Sequence, residues 1–157
     1  MVTNQGAAAA SAAIRGKTYR SGFAAFVLMQ TDGYHRYAQA RLFDPGLSRE
    51  AVEVALRFTE RQWGVVLQQR NPAAYAWRIL RATVTAACFD ASDQLSDHLH
   101  RALPADNADA ALLDHLGLPV EKAAALMGIE PPQARADLLM AQRLLRVDTP
   151  EVNGTCP

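Results

Sequence analysis

Leu118 to Leu145, LPVEKAAALMGIEPPQARADLLMAQRLL, constrains this chain more than any other stretch, because it holds two short helical patterns joined by a glycine turn. Val120, Ala123, Ala124 and Met127 give the first pattern an apolar stripe, and the small residues at 123 to 125 let a second helix cross closely. Gly128 supplies the left-handed residue that ends a helix. Ile129 follows as a core plug, and Pro131-Pro132 suits a helix start better than an interior. Ala134, Leu138, Ala141 and Leu145 then recur along one face of the second pattern. The spacing is that of a helix-turn-helix whose second helix would be the recognition helix, with much of the usual positive charge gone. A plain αα-hairpin has similar spacing, and spacing alone leaves both readings open.

The rest of the chain supplies the setting. With 157 residues, half of them hydrophobic, it can bury one ordinary core or two small ones. Sixteen basic residues balance sixteen acidic ones, so net charge steers the chain toward neither nucleic acid nor an anionic membrane. The distribution is uneven: nine Lys/Arg against five Asp/Glu in residues 1–70, but six Asp against Arg101 alone in 90–114. Cys88 and Cys156 form neither a disulfide framework nor a metal-ligand spacing, so a reducing cytoplasm is the simplest expectation. No window reaches the roughly 18 apolar residues that a membrane span needs, and nothing suggests export.

Periodicity predicts an all-α fold without strands, with helices near 22–42, 48–69, 73–89, 105–116, 120–127 and 132–146. Residues 1–20 are small and polar and are expected as a flexible tail. Phe23, Phe26, Val27, Tyr34, Tyr37 and Leu42 mark a first amphipathic helix, Asp44-Pro45-Gly46 a turn, and Ser48 the start of a second helix. Asn71-Pro72 restarts the chain, as cap and first turn of a third helix bearing Tyr75, Trp77, Ile79, Leu80 and Val84. These three make a bundle over 21–89. An acidic linker over 90–102 leads to a second small helical domain, 103–147, opened by Leu103-Pro104, and residues 148–157 are expected as another flexible tail.

This order of parts, a bundle ending in NPAAYAWRILRATV, a linker, an LP start, then GL and a helix-turn-helix, resembles the sigma-70 family of RNA polymerase sigma factors, in particular the short extracytoplasmic-function type. The resemblance covers about Phe23 to Leu145. It implies that 21–89 is like the family's region 2, with Glu50 to Trp63 as the helix that grips the polymerase clamp and Asn71 to Val84 as the promoter-melting helix. Leu103 to Leu145 is then like region 4, which reads the upstream promoter element. What the resemblance implies is a transcription protein that binds RNA polymerase core and promoter DNA, regulated by an anti-sigma or other protein. It also implies no cofactor, catalysis or small-molecule substrate.

Carried over residue by residue, the DNA-binding candidates are Gln133, Arg135 and Arg143 on the recognition helix and Arg78 and Arg81 on the melting helix. Glu50, Glu53 and Arg57 are the polymerase-binding candidates. The departures are pronounced. Three positions where the family is usually basic are Asp137, Met140 and Gln142 here. Of the residues that would face a groove, Glu130 through Gln133, Arg135, Ala136 and Leu139, only Gln133 and Arg135 can donate to a base edge. Ala82, Ala86, Phe89 and Asp90 stand where the melting helix usually carries polar and basic residues, and the clamp helix keeps only Glu50 and Glu53, beside Val54 and Ala55. An alternative is therefore a degenerate relative that has lost promoter reading and works by protein contact, which the apolar Leu139 and Met140 favour.

The remaining candidates read blandly. Tyr75 and Trp77 could stack on bases, but aromatics on a small bundle are more often core. Asp97, His98 and His100 lack the companions of a metal shell and read as solvated linker. His115, near a helix end, reads as a surface residue. No ordered nucleophile–base pair emerges, so no enzyme is expected.

Overall fold

The computed structural model describes residues 5–90 and 98–147, which are helical apart from short turns and contain no strand. Eight helices run through these residues: α1 Gln5–Leu42, α2 Pro45–Arg61, α3 Trp63–Leu67, α4 Pro72–Asp90, α5 His98–Ala102, α6 Ala105–His115, α7 Val120–Met127 and α8 Pro131–Val147.

α1 is 38 residues long, roughly 57 Å at the usual helical rise. It takes in most of the segment expected as a tail. Alanine has the highest helix propensity, and the hydroxyls of Thr18 and Ser21 turn back onto the carbonyls of Ile14 and Thr18. Residues 8–21 are exposed apart from a half-buried Gly16, so propensity more than burial keeps them helical, with Tyr19 reaching Gly64 near the end of this stretch. Asp32-Gly33 does not interrupt the helix. Gly33 lies where α7 crosses: a Cβ there would stand 2.5 Å from the methyls of Leu126.

α1 ends at Leu42, and α2 begins three residues before the expected Ser48. The Asp44 side chain accepts from the backbone N–H of Leu47 at 2.8 Å with Pro45 in the first turn, so a sequence expected as a turn is a helix cap. Ser48 is buried, its hydroxyl donating to the carbonyl of Asp44. The helix expected over 48–69 is divided at Gln62 into α2 and the short α3. Asn71 caps α4 as expected, its Oδ1 accepting from the N–H groups of Ala73 and Ala74 at 3.1 and 3.3 Å.

The expected linker differs most. α4 reaches Asp90, residues 91–97 lie outside the described residues, and 98–102 form α5, packed on α6. His98 is exposed, but Leu99 and His100 are partly buried, so the solvated reading of His98-Leu99-His100 does not hold. Leu99 has an apolar floor beneath it, which draws the helix down.

One apolar cluster gathers Tyr34, Tyr37 and Leu42 of α1, Val52 of α2, Trp77, Leu80 and Val84 of α4, Leu113 of α6 and Met127 of α7. The front bundle and the helix-turn-helix part thus share a core. Each large side chain fully buried in it is worth about 1.5–3 kcal/mol. A smaller cluster of Leu103, Ala108 and Ala141 joins α6 to α8. The turn of the helix-turn-helix also rests on the front bundle: Asn71 Nδ2 donates to the carbonyl of Gly128, and a Cβ on Gly128 would lie 2.0 Å from the Ala74 nitrogen.

Candidate nucleic-acid interface and the polar seam behind it

α7, the turn and α8 form the unit that the glycine spacing implies. Gly128 sits at φ 67 and ψ 36, and the N–H of Ile129 closes back on the carbonyl of Ala124 at 3.0 Å, the hydrogen bonding of a glycine-terminated helix. The N–H groups of Gln133 and Ala134 return to the carbonyl of Glu130 and start α8. Ala134 and Ala141 are buried with Leu138 half-buried beside them, which holds one face of α8 against α6 and α7. The opposite face, Gln133, Arg135, Ala136, Leu139, Met140 and Arg143, is exposed.

The chemistry of that face is mixed. Gln133 Nε2 donates to Asp137 Oδ1 at 2.9 Å, so this carboxylate occupies a donor that could otherwise reach outward. Arg135 Nη2 stands 3.8 Å from Glu121 Oε1 with both side chains well exposed, a surface pair that water and salt loosen easily. Arg135 and Arg143, with Arg146 in the last turn, supply the positive charge of the exposed side of α8, while Leu139 and Met140 are 49% and 45% exposed.

The melting-helix candidates are placed differently. Arg78 is exposed and lies over the ring of Tyr75 at 5.4 Å, while the Tyr75 hydroxyl donates to Gln62 Oε1 at 2.9 Å. Trp77 is 2% exposed and belongs to the core. Arg81 does not sit on an open face: its Nη1 pairs with Asp106 at 2.6 Å and with Asp109 at 3.2 Å. Burial by itself would lower the Arg81 guanidinium, and hydrogen bonding and charge from Asp106 and Asp109 more than reverse this, holding it above its ordinary value.

Asp109, to which sequence reading gave no role within the helix expected over 105–116, is fully buried at the centre of this seam. Its Oδ1 accepts from the Tyr37 hydroxyl at 2.8 Å and faces His100 Nε2 at 2.7 Å; its Oδ2 accepts from Trp77 Nε1 at 3.0 Å and from Arg81. Donors from α1, α4 and α5 therefore converge on one carboxylate of α6. Arg41, also buried, donates to the Tyr37 hydroxyl and to Thr85 Oγ1, both at 3.1 Å. Burial and then the charge of Asp109 push the Tyr37 phenol well above its ordinary value. A signal for Asp109 did exist, since it lies four residues before Leu113 within NADAALL and shares that helix's buried side.

Glu50, Glu53 and Arg57 fall together on the exposed side of α2, among the exposed apolar residues Leu47, Val54 and Phe58. Glu50 also edges a groove of about 320 Å³ between α2 and α4, floored by Ala51, Ala86 and Ala87. Among the described residues, no helix is long and apolar enough to cross a membrane. The chain matches no protein-family model and no curated protein.

Proposed function

We propose that this chain is a sigma-factor-like transcription protein that engages RNA polymerase core through the outer side of α2 and promoter DNA, weakly, through α8. The observation that carries the reading is the α7–Gly128–α8 unit, whose second helix is packed by Ala134 and Ala141 and leaves Gln133, Arg135 and Arg143 uncovered on the other side. Glu50, Glu53 and Arg57 on one side of α2 give a polar protein-binding surface with an apolar border. With so few cations on α8, affinity for DNA alone is low, and simultaneous binding to polymerase supplies the rest by linking two weak sites.

A second reading, a regulatory module acting through protein contact alone, is favoured by the exposure of Leu139, Met140 and Leu144 and by the engagement of Arg81 with Asp106 and Asp109. Titration of labelled duplex at two salt concentrations, with and without core polymerase, separates the two. Under the first reading, Arg135→Ala costs about 1–3 kcal/mol of specific affinity. Asp137→Arg, which also releases Gln133, strengthens binding and steepens its salt dependence. Superimposable curves for wild type and both variants in the presence of polymerase would remove promoter reading, and loss of a protein complex on Leu139→Asp would then support the second.

A further inference from the structure

A cleft of about 800 Å³ opens where the end of α1 and the start of α2 meet α5 and α6. Its floor is apolar, with Leu112 of α6, Leu116 just past the end of α6 and Leu99 of α5, and its lining includes Arg36 and Arg49 together with His35 and His115. The chain as a whole balances sixteen bases with sixteen acids, yet none of the described residues lining this cleft is acidic. Both arginines are exposed, and Arg36 donates to the carbonyl of Leu116.

The rim also carries a strained residue. Phe43 has φ 54 and is the sole non-glycine with positive φ among the described residues; Gly117 and Gly128 hold the other two such positions. A side chain with a Cβ is disfavoured there, and a large aromatic is a rare choice for a helix-ending residue. Packing does not explain the choice, because the ring is 61% exposed. An observed backbone outlier with its side chain over a cleft points toward a binding role rather than a folding one.

We propose that this cleft binds an amphipathic organic carboxylate, with its acyl or aryl body between Phe43 and the pair Leu112 and Leu116 and its carboxylate between Arg36 and Arg49. The guanidinium fork matches a carboxylate in shape and charge, and the apolar floor takes the body out of water. The ligand is bound, not transformed. Because the walls come from α1, α2, α5 and α6, its occupancy ties the front bundle to the helices that carry the helix-turn-helix.

Isothermal titration of the full chain with decanoate, and separately with decanol, tests the proposal. One decanoate binds per chain, and decanol, equally long but uncharged, binds at least about tenfold more weakly, as loss of charge-assisted contacts to the two arginines requires. Arg49→Ala brings decanoate down toward decanol and leaves decanol unchanged. Phe43→Gly weakens both ligands while the melting temperature stays level or rises, because glycine relieves the left-handed backbone. Equal binding of the two ligands, absence of decanoate binding, or wild-type affinity in both variants would overturn it.

Discussion

Replacing Asp109 with leucine tests whether one buried carboxylate holds the front bundle to the helix-turn-helix part. Leucine is close in size but accepts no hydrogen bond. The change orphans the indole N–H of Trp77 and the hydroxyl proton of Tyr37, both essentially buried, and takes a partner from His100; Arg81 keeps Asp106. Each orphaned buried donor costs about 1–3 kcal/mol, and relief from burying a charge offsets part of the sum. The net loss is about 3–5 kcal/mol, the range for removing one partner of a buried ionic cluster. Against a total stability of about 5–15 kcal/mol this is a large fraction, and it lowers the melting temperature by roughly 10 °C for a chain of this size. Asp106→Ala is the matched control. Asp106 touches the same Arg81 but is 69% exposed, so its loss costs about 1 kcal/mol or less. Urea titrations followed by far-ultraviolet circular dichroism and by tryptophan fluorescence give both values. If Asp109→Leu unfolds within about 1 kcal/mol of wild type with the same denaturant slope, the seam is not what holds the two parts together.

Other outcomes follow from single residues. Gly128→Ala forces a Cβ into a left-handed backbone and against the main chain of Ala74, which cannot yield as a side chain could; it should cost about 2–5 kcal/mol in the same titrations. Tyr34 carries a buried hydroxyl without a hydrogen-bond partner among the described residues, so Tyr34→Phe should stabilise the fold by about 1 kcal/mol, where a loss of that size would mean the hydroxyl is satisfied. Burial raises the folded-state values of Tyr34 and Tyr37 above the ordinary 10.0, so stability is whole below that pH. Above it the unfolded chain loses protons first, and stability should fall by about 1.4 kcal/mol per pH unit for each tyrosine until the folded values are passed. Urea midpoints from pH 9 to 11 check the slope, which Tyr34→Phe should halve.

The helix pair α7 and α8 was legible because every signal in it is local: apolar residues at helical spacing, a glycine where the chain must turn left-handed, a proline pair at a helix start. α7 covers the expected residues, and α6 and α8 lie within one residue of theirs at each end. Trp77 as core followed from its neighbours in the same way. What was missed depends on distant partners or on competing local readings. Asp44-Pro45 is both a turn signal and a cap-plus-proline signal, and the backbone of α2 chose the second. The alanine-rich start looked like a tail because it has little to bury, but helix propensity needs no burial. Asp109 and His100 lie in a stretch whose charge suggested solvent. Whether a carboxylate there is buried is decided by donors at 37, 77 and 81, which no window around 109 contains. Arg81, read from its family position as a DNA contact, is committed inward for the same reason.

The convergence of donors on Asp109 also bears on how such a chain can be inherited. A helix-turn-helix joined to its bundle by a connector alone can be exchanged for another by recombination. This one carries a carboxylate whose partners are encoded tens of residues upstream, at Tyr37, Trp77 and Arg81. Grafted onto a bundle without them, residues 98–147 would bring a buried carboxylate that keeps His100 but loses its donors from the front bundle. Descendants of this chain should therefore keep or lose the four positions together, and the two parts travel as one hereditary unit.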